Sequence, residues 1–252
     1  MKAIIVAAGM GRRLAPYTDD RPKCLVEVNG RSILERQVEA YRAAGVTDIV
    51  VVRGYLAERI AFPDLRYVEN RRFRENNILA SLLCAEREME GGFLFSYSDI
   101  VFRREVVRDL VASRADYSLV IDRRWDEAYE GRDLHPVSEA ELARVEGSPG
   151  GIVRAVGKRR VPRADAHGEF IGLAKFSARA AETMRKEYRS LERALSGGPF
   201  GDAPRFEAAY LTDLLNHLIA AGEEMRSVDI EGGWREIDTT QDLERARAIV
   251  DW

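Results

Sequence analysis

The sequence predicts an α/β protein, a three-layer α/β/α fold with a mixed, mostly parallel sheet and an inserted flap or hairpin. Three observations carry this. A strand, a helix and a second strand follow one another between Ala3 and Arg53, the unit from which parallel sheets are built. Strand-length apolar runs then keep alternating with amphipathic helical stretches to the end of the chain. One polar stretch, 123–151, breaks that rhythm.

The elements follow in order. Ala3 to Ala8 is a continuous apolar run, as expected of a strand buried on both faces. A loop punctuated by Gly and Pro runs from Gly9 to Pro22. Lys23 to Val28 reads as a short extended segment and Asn29-Gly30 as a tight turn. Ser32 to Ala44 reads as a helix, with Ile33, Val38 and Tyr41 on one face, Ser32 as cap and Gly45 as stop. Ile49 to Arg53 is the second apolar strand, and Leu65 to Val68 a third, short one. A helix is expected over Ile78–Met89, then a strand ending in Tyr97-Ser98-Asp99. A helix from about Arg104 to Ser113 and a strand over Tyr117–Asp122 follow. The 123–151 stretch carries Trp125 and His135-Pro136 and reads as an inserted flap or hairpin, placed as a lid, an acceptor wall or a dimer contact. Ile152–Gly157 and Gly168–Phe176 read as strands, Ala178–Leu195 as a helix, and Phe206, Tyr210, Leu214 and Leu218 as one helical stripe. Met225–Ile230 is the last long strand, and Thr240–Val250 the last helix.

The 252 residues are 46% hydrophobic and 32% charged, ordinary globular values that bury a core without disulfides. With 39 basic and 42 acidic residues closely mixed, the net charge is −3, which gives no footprint for nucleic acid or a membrane surface. Cys24, Cys84 and three histidines do not furnish a typical structural zinc site, and both cysteines read as reduced small hydrophobes. The opening MKAIIVAAG is too short for a membrane span or a signal segment, so a cytoplasmic location is expected.

Two constellations point to chemistry. The first is Ala8-Gly9-Met10-Gly11-Arg12-Arg13-Leu14, directly after the first strand. Ligands of open α/β sheets bind beyond the carboxyl ends of strands, and glycines there let backbone N–H groups approach phosphate oxygens. The dinucleotide fingerprint fails, because Leu14 stands where a third Gly belongs and Arg53 where an acid belongs; no GK[ST] follows either. What is left is a phosphate cradle followed by Arg13 and Lys23, a bidentate donor and a point charge that together suit a triphosphate. A plain strand-to-helix turn with solvated basic residues is the alternative on spacing alone. The second constellation is Asp99 and Asp238, each closing an apolar run. Mg²⁺ favours one or two carboxylates plus phosphates and water, whereas an Asp between strand and helix is also a common cap.

Aromatic residues Tyr97, Trp125, Tyr129, Tyr210 and Trp234 are candidate walls for an acceptor pocket, able to face a quaternary ammonium; Tyr210 is expected to point into the core with its helical stripe. His135 is a candidate acceptor contact, against an ordinary loop histidine. Asp213 and His217 share a helix face at i,i+4 and pair with each other or reach an acceptor amine. Arg123 and Arg124 are candidates for a phosphonate, against a solvated strand end.

These residues carry a resemblance. AAGMGRRLAPYTDDRPKCLVEVNGRSILERQVEAYRAAGVTDIVVV resembles the opening signature of the nucleotidylyltransferases that activate sugar 1-phosphates, phosphocholine and phosphonates. YSDIVF resembles their first metal-binding segment and WREIDTTQDLERA their C-terminal metal motif, in order over nearly the whole chain. Glu69-Asn70, Asn76-Asn77-Ile78 with Ser81, and the Gly168–Phe176 strand are most similar to the cytidylyltransferases acting on phosphocholine or small phosphonates. The sugar enzymes differ, with a Gly-rich segment where Asn76-Asn77 stands and a GDN-like motif where Tyr97-Ser98-Asp99 stands.

The resemblance implies a Rossmann-like, nucleotide-diphospho-sugar transferase-like fold, with residues 1–252 as one nucleotidyltransferase domain. It implies Arg13 and Lys23 as catalytic cations, and Ala8, Gly9, Gly11, Asn77, Ser81 and Tyr97 around the nucleotide. Asp99 and Asp238, with Glu236, would hold Mg²⁺. Trp125, His135, Lys175, Asp213 and Trp234 are the acceptor candidates. The expected reaction moves CMP from CTP to a small phosphonate or phosphocholine-like acceptor and releases pyrophosphate. The alternatives are a sugar-1-phosphate nucleotidylyltransferase using UTP or dTTP, and a non-catalytic nucleotide-binding regulatory protein. A homodimer is the candidate assembly, with neither nucleic acid nor membrane as partner.

Overall fold

The computed structural model describes residues 1–147 and 149–252. Ser148, inside the expected insertion, lies outside the described residues.

In chain order the elements are β1 (Lys2–Ala7), β2 (Glu27–Val28), β3 (Arg31–Ser32), α1 (Ile33–Ala43), β4 (Asp48–Arg53), β5 (Arg66–Glu69), α2 (Ile78–Cys84), β6 (Phe93–Tyr97), β7 (Ile100–Phe102) and α3 (Arg104–Ala112). There follow β8 (Tyr117–Asp122), β9 (Glu141–Glu146), β10 (Ile152–Lys158), β11 (Gly168–Phe176), α4 (Ala178–Leu195), α5 (Leu211–Ala220), β12 (Met225–Ile230), β13 (Trp234–Glu236) and α6 (Thr240–Ile249).

The main sheet has nine strands in the order β5-β4-β1-β6-β11-β8-β12-β10-β9. Neighbours β5, β4, β1 and β6 run parallel, as do β8 and β12. The long β11 is inserted antiparallel between β6 and β8 and makes the sheet mixed. Because side chains alternate along a strand, β1 feeds two cores. Ile4 and Val6 pack with α2, α4 and α5 on one side. Ala3, Ile5 and Ala7 pack with α1 and α3 on the other. This is the three-layer arrangement that the run Ala3–Ala8 predicts. A third cluster joins Leu14, Val26, Ile33, Val101 and Ile237 to Leu243 and Ala246 of α6, fixing the ends of the chain against each other.

Several expectations are corrected. Lys23–Leu25 is a single 3₁₀ turn and not an extended segment, because the Pro22 carbonyl accepts the Leu25 amide at 2.9 Å. The helix expected over Ile78–Met89 stops at Cys84 and tightens into a 3₁₀ turn over Glu86–Met89. The stripe from Phe206 to Leu218 is divided: Tyr210 is extended, its amide donates to the Asp213 carboxylate at 2.8 Å, and α5 starts only at Leu211. Within 123–151, residues 141–146 form β9, paired with both β10 and β11. Its exposed Arg144 and Glu146 give this strand its polar look, while Leu142 and Ala143 are buried.

The remaining residues of that stretch, 123–140, are tied down. Trp125 and Tyr129 form a small core with Ala140, Leu142 and Val161. Arg245 of α6 donates to the carbonyls of Glu130 and Ala128, and Gln241 to that of Gly131.

Candidate active site

A cavity of about 430 Å³ opens beyond the carboxyl ends of β1 and β6. Ala8, Gly9, Gly11 and Arg13 line it from the turn after β1, and Tyr97 and Asp99 from the end of β6. The turn is held tightly. Gly11 has φ +59°, and a Cβ on it would stand 2.9 Å from the Lys23 Cβ, so a side chain there would push Lys23 away. Thr18 donates to the Gly11 carbonyl at 3.0 Å, and the fully buried Leu14 anchors the 3₁₀ turn that carries Arg13.

Asp99 and Asp238 meet here. The short antiparallel ladder between β7 and β13 pairs Ile100 with Glu236, and the Ile237 amide donates to the Asp99 carbonyl at 2.8 Å. The ladder brings the two acidic loops side by side although their positions in the chain are far apart. From the next layer, Gln37 of α1 donates to the carbonyls of Tyr97 at 2.8 Å and Ile100 at 2.6 Å, which fixes the Asp99 turn. The helix cap of α6 is Thr239, in a reciprocal pair with Asp242. Asp238 is therefore relieved of capping and its carboxylate turns into the site.

Between the two carboxylates stands Lys23. Its ammonium donates to Asp99 Oδ2 at 2.9 Å and to Asp238 Oδ1. Burial alone would favour the neutral amine, but Asp99 and Asp238 outweigh it and hold the pKa above the ordinary lysine range. Asp238 shows the converse. Burial pushes its pKa up, yet Lys23, His135 and Arg13 together hold it well below the carboxylate range. Arg13 donates to the other Asp238 oxygen and is half exposed, so it borders solvent.

His135 is almost fully buried and does not line the cavity. Its Nδ1 lies 3.1 Å from Asp238 Oδ2 and its Nε2 3.6 Å from Glu236 Oε2. Glu236 is also held by Arg132 at 2.8 Å, whose Nε donates to Asp242 at 2.6 Å. Burial and the neighbouring Asp238 push the Glu236 carboxyl up, against His135 and Arg132.

The residues present fit a hard divalent cation. His135, Glu236 and Asp238 offer ligand atoms within 4.8 Å of one another. Asp99 Oδ1 is buried with no hydrogen-bond partner, an oxygen left over for an added positive charge.

The other sequence candidates divide. Asn77 and Ser81 line the cavity, each already bonded: Asn77 caps α2 and donates to the Ala208 carbonyl at 3.1 Å, and Ser81 donates to the Asn77 carbonyl at 2.9 Å. Trp234 lines it too, with its Nε1 donating to Asp122 at 2.7 Å. Three acceptor candidates lie elsewhere. Trp125 is buried in the small core with Tyr129, because an amphipathic turn of the 123–140 segment needs an anchor. Lys175, far along β11, donates to the carbonyls of Val111 and Ser113 at the end of α3. Asp213 accepts the amides of Tyr210 and Asp202 and serves the start of α5. It does not pair with His217, which lies 3.4 Å from Glu187 instead. Arg124 is held at the surface by Glu127. Cys84 is exposed, whereas Cys24 is buried.

Tyr210, expected in the core, lines the cavity, since the extended backbone before α5 turns its ring out of the helical stripe. Sequence reasoning passed over Glu139, Glu141, Lys158 and Glu169, which all line the cavity. Lys158 donates to Glu139 at 3.1 Å and sits over the Tyr210 ring. Tyr97 donates to Glu141 at 2.9 Å, and Tyr129 to Glu169 at 2.6 Å. Burial raises both carboxyls, Glu141 to about 7 and Glu169 to about 8. Neither has a periodic signal in the sequence: Glu169 is a lone acid on a strand buried throughout, and Glu141 opens a strand with exposed polar residues.

No helix among the described residues is long and apolar enough to cross a membrane. Comparison with known proteins adds to this geometry. Residues 3–186 match the model of the MobA-like NTP transferase domain. The CTP:phosphoglutamine cytidylyltransferase of Campylobacter jejuni is 31% identical over 97% of this chain and 98% of that protein. The 2-aminoethylphosphonate cytidylyltransferase of Lancefieldella rimae is 39% identical over 46% of this chain and 49% of that protein. Among solved structures, the CTP:phosphocholine cytidylyltransferase of Streptococcus pneumoniae superposes with a TM-score of 0.74 at 21% identity, covering 99% of both chains. That likeness bears out the α/β fold expected from the sequence.

Proposed function

The chain belongs to the family of MobA-like NTP transferase domains and is a nucleotidyltransferase, and from that premise we propose that it moves CMP from CTP to a small phosphonate or phosphocholine-like phosphate monoester. The relative matched over nearly the whole chain at 31% identity supports the nucleotide, being a cytidylyltransferase. Solved structures of the same fold include a glucose-1-phosphate thymidylyltransferase and a UDP-glucose pyrophosphorylase, so the fold itself does not choose the nucleotide. The single observation that carries the mechanism is Lys23 standing between Asp99 and Asp238 beside the turn after β1.

In this reading the backbone of Gly9 and Gly11 and the guanidinium of Arg13 hold the triphosphate. Lys23 leaves its two carboxylates to lie against the α-phosphate. Asp99 and Asp238, with Glu236, would hold Mg²⁺, which when bound neutralises charge on the phosphates. Asn77, Ser81 and Ala8 line the nucleotide side, and Tyr97 and Trp234 border the acceptor. His135 acts from behind, placing Asp238 and Glu236. An acceptor oxygen attacks the α-phosphorus, the bond from that phosphorus to the bridging oxygen breaks, and the electron pair leaves with pyrophosphate. The acceptor oxygen is already ionised, so no proton has to be removed. Positioning and charge neutralisation supply the acceleration.

The test is a panel of nucleoside triphosphates with Mg²⁺ and small phosphate and phosphonate acceptors, read by pyrophosphate release. CTP is expected to be the substrate. Turnover confined to UTP or dTTP with a hexose 1-phosphate would replace this reading with the sugar-activating one.

A further inference from the structure

The cavity holds more buried acid than its own cations satisfy. Glu141 and Glu169 line it and are 6% and 4% exposed. Glu141 accepts from Tyr97, while Lys158 directs its hydrogen bond to Glu139. Arg132 is committed to Glu236 and Asp242. Glu169 accepts from Tyr129 through Oε1, and its Oε2 is buried with no partner at all. A buried carboxyl oxygen without a partner is costly, and a cation laid against it would favour the ionised form that burial disfavours, so a cation with N–H donors is the natural complement. Among the described residues the grouping that could share a metal ion is His135, Glu236 and Asp238, and neither Glu141 nor Glu169 belongs to it.

We propose that Glu169, aided by Glu141, selects an acceptor that carries a primary ammonium group and receives its N–H donors. The proposal rests on the cytidylyltransferase reading and narrows its acceptor to aminated phosphates or phosphonates. A quaternary ammonium has charge but no donor, and it leaves Glu169 Oε2 unpaired. The aromatic faces of Tyr97, Phe170 and Trp234 would attract either cation, so the discrimination comes from the hydrogen bond. Sites built to hydrogen-bond a substrate group reject analogues lacking it strongly.

Three acceptors built on the same two-carbon phosphonate separate the possibilities: 2-aminoethylphosphonate, its N-trimethyl derivative and ethylphosphonate. Each is assayed with CTP and Mg²⁺, and each is titrated calorimetrically into the protein saturated with CMP and Mg²⁺. The primary amine should exceed both others in kcat/KM, and bind more tightly, by about 100-fold or more. Glu169→Gln should cut that preference at least about 10-fold. A calorimetric titration with CTP should show the same affinity for the variant as for the natural chain, which keeps a folding failure distinguishable. Equal use of ethylphosphonate, preference for the trimethylated acceptor, an unchanged preference in Glu169→Gln, or binding of none of the three overturns the proposal. If CTP is turned over with all acceptors alike, this inference alone fails. If only another triphosphate is turned over, the cytidylyltransferase reading fails first.

Discussion

Lys23 shows how one residue can be legible in type and hidden in geometry. A lysine soon after a glycine turn signals phosphate chemistry, and Asp99 and Asp238 were legible as acids closing apolar runs. That all three would meet depends on a ladder of three residue pairs, Ile100 with Glu236 among them, which no local pattern announces. Glu169 was illegible for the opposite reason. It stands on β11, whose nine residues are all buried, and a lone acid in such a strand has no periodic signature. Its burial has a measurable consequence. Desolvation raises the Glu169 carboxyl to about 8, so the folded protein keeps a proton that the unfolded chain releases near the ordinary range. Stability from this group is therefore full below about pH 4.5 and falls as pH rises to about 8. Glu169→Gln keeps an acceptor for Tyr129 and removes the titration. Thermal melts should show the variant gaining on the natural protein between pH 5 and pH 8.5, by on the order of 2 kcal/mol. A difference that stays constant with pH contradicts the assignment.

Among the elements, β11 shows best how local backbone serves the site. Its register against β8 slips between Phe170 and Ala174, and Gly172 inside the slip has φ +78°. A Cβ on Gly172 would stand 2.1 Å from a ring carbon of Tyr97. The glycine is what lets the Tyr97 ring lie against the strand and reach Glu141. The slip explains why a strand correctly placed by its apolar run gave no hint that it bends at the cavity. Gly172→Ala combines a strained φ with a clash against a buried ring, and should destabilise by about 2 kcal/mol or more. It should also raise the acceptor KM by displacing Tyr97. Chemical denaturation and steady-state kinetics together check both; a variant of natural stability and KM would mean Tyr97 is not positioned this way. The start of α5 has a similar lesson. Leu214 and Leu218 do share the buried face of α5, but the Asp213 capping box begins the helix only after Tyr210 and hands Tyr210 to the cavity.

For the molecule as a whole, the order of strands, helices and the glycine turn could be read because each rests on local apolar periodicity. The 123–140 segment could not, since its order comes from distant partners. Arg132 binds Glu236 and Asp242, His135 lies against Asp238, and Arg245 holds the backbone of Ala128 and Glu130. What looks like a loose polar insertion is a brace behind the acidic centre. In the proposed reaction this braced centre directs attack at the α-phosphorus of CTP. Phosphorus NMR of the protein with Mg²⁺, CTP and 2-aminoethylphosphonate reads that directly. A new mixed anhydride of CMP with the phosphonate and pyrophosphate are expected in equal amounts, both lost in Asp99→Ala. Formation of CDP and inorganic phosphate, or products undiminished in Asp99→Ala, would contradict the proposed reaction.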